Sequence, residues 1–132
     1  MPIKLFADGA IIEEMIEFSK SVLIQGFTTN PTLMRKSGVE NYENFALEVL
    51  KHIPFSPISF EVFSDEFDEM ERQAIKLSKM GENVYVKIPI TNTRRESSLP
   101  LIKKLGELSI KLNVTAIMTT QQVKNLCQVL NP

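Results

Sequence analysis

Glycine is scarce in this chain, five in 132 residues, and they form no phosphate-cradling loop. After the first apolar run only Asp8-Gly9-Ala10 appears, one glycine where a dinucleotide fingerprint needs several. A nucleotide-binding, doubly wound domain is therefore disfavoured. The single cysteine, Cys127, excludes an intramolecular disulfide and points to a reducing cytosol. Inside a predicted helix it reads as a small packing residue. Neither charge sign dominates: the formal net charge is −1, so nothing argues for nucleic acid or a membrane surface as partner. No charged-then-apolar leader opens the sequence and no apolar run approaches about 18 residues, so neither a signal peptide nor a membrane span is expected. Repeats and low-complexity segments are also missing. What remains, 43% hydrophobic and 23% charged, suits one soluble domain over residues 1–132 with an ordinary core.

Hydrophobic periodicity predicts five strand–helix units. Residues 3–8 read as a first strand, followed by a helix with Ile11, Ile12, Met15, Ile16 and Phe18 on one face and acids in its first turns. Val22–Thr28 is the second strand. Asn30 can cap a short turn that Pro31 begins, and Tyr42–Ile53 is the next helix, with Phe45, Val49 and Leu50 inward. His52 near its end complements the helix dipole more readily than it ligates anything. A third strand spans Ile58–Phe63. Ser64 or Asp65 caps a helix running to about Met80, and Gly81 ends it. Strand four lies in the stretch Glu82–Thr91, a helix covers Leu99–Leu112, the fifth strand is Val114–Met118, and Thr119 or Thr120 caps a last helix over Gln121–Leu130. Such alternation predicts a parallel sheet covered by helices.

A lysine interrupts the fourth strand. Val84, Val86, Ile88 and Ile90 share one face by alternation, leaving Tyr85 and Lys87 on the other. Taken alone, the stretch is compatible with a lysine snorkelling from a strand end. A buried ammonium, however, is relieved by pairing or by losing its proton, and a neutral amine on a rigid strand attacks carbonyls. The same parity test on the other strands groups polar residues opposite each apolar face. Lys4, Phe6 and Asp8 oppose Ile3, Leu5 and Ala7; Ser59, Glu61 and Phe63 oppose Ile58, Phe60 and Val62. Asn113, Thr115 and Ile117 oppose Val114, Ala116 and Met118, while Thr28 and Asn30 close the second strand. In a parallel barrel that second face points inward and the carboxyl ends of the strands carry the chemistry. Each residue also has a plainer explanation: Asp8 and Asn30 as helix caps, Glu61 as an edge charge, Thr115 as an ordinary strand threonine.

Through these residues the chain resembles the transaldolase family, in particular its short branch with the fructose-6-phosphate aldolases. The matching pieces are Phe6-Ala7-Asp8, Gly26 through Leu33 with Thr28-Thr29-Asn30-Pro31, Ser59-Phe60-Glu61-Val62, Val84 through Thr91 with Val86-Lys87-Ile88-Pro89, and Leu112 through Ile117. They cover essentially the whole chain, and the Thr-Thr-Asn-Pro and Val-Lys-Ile-Pro motifs together are specific. The resemblance implies (βα) units of a TIM-type barrel, about five of its eight, and Schiff-base transfer or cleavage of a dihydroxyacetone unit. Substrates would be ketose phosphates such as fructose 6-phosphate or sedoheptulose 7-phosphate, in the pentose phosphate pathway of the cytoplasm. Lys87 would form the imine, Asp8 would act as acid/base, and Glu61 and Thr115 would hold the proton-shuttling water. Thr28, Asn30 and Asn113 would bind substrate hydroxyls or the lysine's surroundings. It implies no cofactor and no metal, since the protonated imine is itself the electron sink. It also implies that the aromatic, serine and arginine residues of later strands lie outside these 132 residues. Asn92-Thr93-Arg94-Arg95 stands where Glu-Gly is common and reads as a solvated loop rather than a phosphate site. Two exposed sheet edges would follow from five strands, so a homo-oligomer is expected, with a flatter doubly wound sheet or a longer gene product as the alternatives.

Overall fold

The computed structural model describes residues 3–130. Strands β1 (Leu5–Asp8), β2 (Ile24–Thr28), β3 (Ile58–Glu61), β4 (Val84–Pro89) and β5 (Leu112–Thr115) form one sheet in the order β1-β2-β3-β4-β5. Helices α1 (Ile12–Ser19), α2 (Pro31–Lys36), α3 (Tyr42–His52), α4 (Phe67–Ser78), α5 (Leu99–Glu107) and α6 (Thr120–Cys127) fall between and after them. Five parallel βα units in consecutive order are the arrangement of a partial TIM-type barrel, as the resemblance implied. The residues cluster into two compact units. One runs to Glu61 and includes Met80–Val84; the other comprises Val62–Lys79 and the chain from Tyr85 onward.

In the first unit, β1 pairs with β2 from Leu5↔Ile24 to Asp8↔Thr28, with Gln25 as an extra residue opposite the Leu5–Phe6 step. Gly26 sits where a Cβ would meet the Phe6 ring and the Pro57 carbonyl oxygen, which explains a glycine in mid-strand. β2 continues into β3 through Phe27↔Ile58 and Thr28↔Ser59. Met15, Phe27, Met34, Phe45, Ala46, Val49, Ile58 and Phe60 are buried and form this unit's core. Asn30 caps α2, accepting from the Leu33 N–H at 3.0 Å, and Asn41 caps α3 in the same way. His52 pairs with Glu48 at 2.9 Å along α3. The Asn83 side chain donates to the Ile53 and Ser56 carbonyls at 3.0 and 2.8 Å, fastening the Pro54–Pro57 loop.

The second unit is built around β4. Val86, Ile88 and Ile90 are buried while Tyr85 and Lys87 are half-buried, so the alternation read from the sequence is the one observed. β5 pairs with β4 from Val86↔Leu112 to Pro89↔Thr115. Met70, Ala74, Leu77, Leu101, Ile102, Leu105 and Leu126 complete the core, and Lys104 on α5 pairs with Glu71 on α4 at 2.7 Å.

Several expectations need correction. The second strand begins at Ile24, with Val22 and Leu23 exposed ahead of it. The third strand stops at Glu61 because the Phe63 and Ser64 N–H groups turn to the Gln73 side chain at 3.0 and 3.2 Å. Neither Ser64 nor Asp65 caps α4: its N-cap is Glu66, which makes no side-chain cap bond. α4 ends at Ser78, and Gly81 is three residues beyond, packed against Asn83 and Leu50 rather than left-handed. The fifth strand lies earlier, at Leu112–Thr115, because Ala116 adopts φ 58° and breaks the alternation; Met118 is exposed rather than packed. Ile3 and Leu5 are uncovered, so the apolar face of β1 does not pack under a helix. Cys127 is exposed, not a packing residue, because the buried position of α6 is Leu126 and a neighbour on a helix points elsewhere.

The end of α5 carries a testable consequence. The helix stops at Glu107 instead of Leu112 because Ser109 takes φ 59°, with Ile110 N–H donating to Leu105 O at 3.1 Å and Ser109 N–H to Gly106 O at 2.9 Å. That is the Schellman pattern. The same pattern ends α2, where Gly38 takes φ 77° and Val39 N–H donates to Met34 O at 2.9 Å. Serine strains against its own Cβ where glycine does not, at a cost of about 1 kcal/mol. Ser109→Gly is expected to raise unfolding stability by about that amount in urea titrations, and Gly38→Ala to lower it similarly.

Candidate active site

The carboxyl ends of the strands carry the polar residues singled out from the sequence. In the first unit, Asp8 ends β1 and Thr28 ends β2 directly beside it in register. The Thr28 hydroxyl donates to Asp8 Oδ1 at 2.6 Å, a short charge-assisted bond that fixes the carboxylate. Asp8 is not a helix cap: the residue before α1 is Ile11, and Asp8 remains exposed. Asn30 does serve as a cap, so its side-chain oxygen is already engaged by Leu33. Glu61 ends β3, a strand in the middle of the sheet order, so it is not an edge charge.

Beside Glu61 lies a residue the sequence reading passed over. Tyr42, at the start of α3, donates its hydroxyl to the Glu61 carbonyl oxygen at 2.6 Å and packs its ring against Phe60 with centroids 6.4 Å apart. Burial, reinforced by the Glu61 charge, pushes the Tyr42 phenol well above its ordinary pKa, and the bond to the Glu61 backbone offsets only part of that. Its hydroxyl therefore stays protonated and a donor at neutral pH. A signal for it exists: Tyr42, Phe45, Ala46 and Val49 recur at i, i+3, i+4 and i+7, so the phenol belongs to the buried stripe and needs a buried acceptor.

In the second unit, Lys87 is half-buried on β4 and Asn113 is its register partner on β5, with Pro89 and Thr115 paired one step along the same face. The Lys87 carbonyl accepts from the Val62 N–H at 3.2 Å, and the Thr115 carbonyl accepts from Ile90 N–H at 2.9 Å. Backbone on either side thus holds the lysine's strand rigid, as an oriented nucleophile requires.

The loop after that strand is fastened rather than loose. Thr93 donates its N–H and hydroxyl to Asp65 at 2.8 and 2.6 Å. Arg94 grips Glu66 through two bonds at 2.7 and 3.1 Å and reaches Glu96 at 3.1 Å, while the Asn92 amide meets Glu96 at 2.5 Å. The Thr93 hydroxyl holds the Asp65 carboxyl below its usual range, and Arg94 does so for Glu66. For Glu96 the Asn92 amide is the larger cause, ahead of Arg94. The Arg94 guanidinium is correspondingly held more firmly protonated by Glu66 and Glu96. Engaged by these carboxylates, Arg94 is not poised to receive a phosphate. Among the described residues no three His, Cys, Asp or Glu side chains gather as a metal ion would need, and no helix is long and apolar enough to cross a membrane.

Comparison with known proteins follows the same residues. The sequence model of the family described as Transaldolase/Fructose-6-phosphate aldolase matches residues 5–131. A probable transaldolase of Clostridium perfringens is 39% identical over 119 residues, covering 90% of this chain and 53% of the relative. Probable transaldolases of Bdellovibrio bacteriovorus and Dehalococcoides mccartyi are 38% and 33% identical over the same shares. The chain spans about half the length of the curated relatives it matches.

Proposed function

Because this chain belongs to the transaldolase/fructose-6-phosphate aldolase family, we propose that it carries the N-terminal five βα units of a transaldolase-like barrel and performs class I aldol chemistry on ketose phosphates. Lys87 attacks the C2 carbonyl as a neutral amine, and loss of water gives a protonated imine. Asp8 takes the C4 hydroxyl proton as the C3–C4 bond breaks, and the bonding pair flows into the imine to give an enamine and a free aldehyde. The enamine then adds to an acceptor aldehyde, or is protonated and hydrolysed to release dihydroxyacetone. Glu61 and Thr115 position the water that moves protons during imine formation and breakdown. Thr28, Asn30 and Asn113 contact substrate hydroxyls and the lysine's surroundings; for Thr28 that contact runs through the carboxylate it already steadies. The reaction belongs to cytoplasmic carbohydrate metabolism, in the pentose phosphate class.

The observation that carries this reading is the family motif around Lys87, whose lysine is half-buried on a strand held on both sides, with Asn113 beside it in register. Borohydride reduction in the presence of fructose 6-phosphate tests it. A stable mass adduct on the Lys87 peptide is the expected result; no adduct would overturn activity for this chain. The second reading is a catalytically impaired binding or assembly module of the same family, in which Arg94, already gripped by Glu66 and Glu96, offers a substrate phosphate no ready guanidinium. That module would fold normally and leave Lys87 unlabelled.

A further inference from the structure

Backbone bonds run from β2 to β3 at every second residue until the sequence prevents the next one. The Phe27 N–H donates to Pro57 O at 2.8 Å and the Thr29 N–H to Ser59 O at 3.1 Å. With Phe27↔Ile58 and Thr28↔Ser59 in register, the next donor in this series is residue 31 and the next acceptor is the Glu61 carbonyl. Residue 31 is Pro31, which has no N–H and already opens α2. β2 therefore cannot give the last residue of β3 the bond that the ladder calls for. The Tyr42 hydroxyl gives it instead, donating to Glu61 O at 2.6 Å.

That donor is held in place from several sides. Tyr42 is the first residue of α3, and the Asn41 side chain fixes this opening turn by accepting from the Asn44 N–H at 2.9 Å. Its ring packs against Phe60, the residue before Glu61, and Phe45, Ala46 and Val49 bury the helix behind it. One side chain thus grips two consecutive residues at the end of β3, by its ring and by its hydroxyl. Phenylalanine would make the same apolar contacts, so packing does not account for the oxygen. Holding the carbonyl oxygen fixes the ψ angle of Glu61, and side-chain rotamers follow the backbone that carries them. A carboxylate that must place a water is aimed no better than its own Cα is held.

We propose that Tyr42 is a positioning residue for Glu61: its hydroxyl completes the ladder where Pro31 cannot, and so sets the direction of the Glu61 carboxylate. The inference rests on the role given above to Glu61 in imine chemistry at Lys87, and two measurements keep the two apart. The first needs no turnover. In the 132-residue chain, the three-bond couplings from the Glu61 nitrogen and carbonyl carbon to its Cγ are expected to report one χ1 rotamer. Tyr42→Phe, with circular dichroism to verify folding, is expected to average them. The second is the rate at which borohydride traps the adduct with fructose 6-phosphate. Tyr42→Phe is expected to slow it roughly three- to tenfold, the worth of about one hydrogen bond. Glu61→Ala is expected to slow it as well, and Tyr42→Phe added to Glu61→Ala is expected to slow it no further, since no carboxylate is left to aim. Val49→Ala thins the packing of the same helix at a 0% exposed position and is expected to lower stability while leaving the rate unchanged. Couplings already averaged in the wild type, or unmoved in Tyr42→Phe, would overturn the proposal. So would full additivity with Glu61→Ala, or an equal slowing in Val49→Ala. A wild type that forms no adduct refutes the chemistry at Lys87, and the couplings then decide for Tyr42 alone.

Discussion

Lys87→Met is expected to lose every trace of the borohydride-trapped adduct, falling from full labelling to none. Methionine follows the lysine stem and fills its space, so the half-buried site keeps its packing while losing the amine. Its melting temperature is therefore expected to stay within a few degrees of the wild type. The informative comparison is Asp8→Asn. The amide still accepts from the Thr28 hydroxyl, now 2.6 Å from Asp8 Oδ1, but it cannot take a proton. Imine formation at Lys87 is expected to survive and remain trappable, whereas carbon–carbon cleavage slows by roughly 10² to 10⁴. Single-turnover release of aldehyde, read beside the mass of the trapped protein, separates the two steps. An adduct persisting in Lys87→Met would place the nucleophile elsewhere. Equal loss of adduct and cleavage in Asp8→Asn would remove Asp8 from the cleavage step.

Much of this was legible along the chain, and the misses share a physical cause. The β4 strand read correctly because alternation is a local property and Val84, Val86, Ile88 and Ile90 state it without interruption. The cap at Asn30 was legible for the same reason: a cap needs only its own third neighbour. Asp65 shows the converse. It has the right type and place for a cap, yet its carboxylate is taken by Thr93, 28 residues on, a competitor that no local rule contains. Alternation along β1 separated its apolar face from its polar one, but it carries no information on what, if anything, covers either. Ala116 and Ser109 are ordinary residues in left-handed conformations, and composition marks such turns only when glycine occupies them. Tyr42 stands at i, i+3, i+4 and i+7 with Phe45, Ala46 and Val49, but its hydroxyl finds its acceptor at Glu61, 19 residues on, which the helical period does not name.

Phe27→Ala is expected to cost about 3–5 kcal/mol, the range for deleting a fully buried aromatic ring. Phe27 is 0% exposed, sits in the middle of the three strands of its unit with Ala7 and Ile58 as register partners, and donates its N–H to Pro57 O at 2.8 Å. The backbone bonds of the variant are unchanged, so the loss comes from transferred area and from a cavity that the flanking strands cannot close. Against a total stability of about 5–15 kcal/mol for a domain, that removes a large share of the margin. The melting temperature is expected to fall by roughly 10–20 °C at this chain length. Phe55 supplies the control within the same unit: it is 92% exposed, and Phe55→Ala deletes the same atoms at an expected cost within about 0.5 kcal/mol. The two variants differ in burial and not in chemistry, so the gap between their urea midpoints measures what enclosure by β1, β2 and β3 contributes. Equal midpoints would mean that Phe27 is not enclosed in solution, and the register that seats it between Ala7 and Ile58 would fall with it.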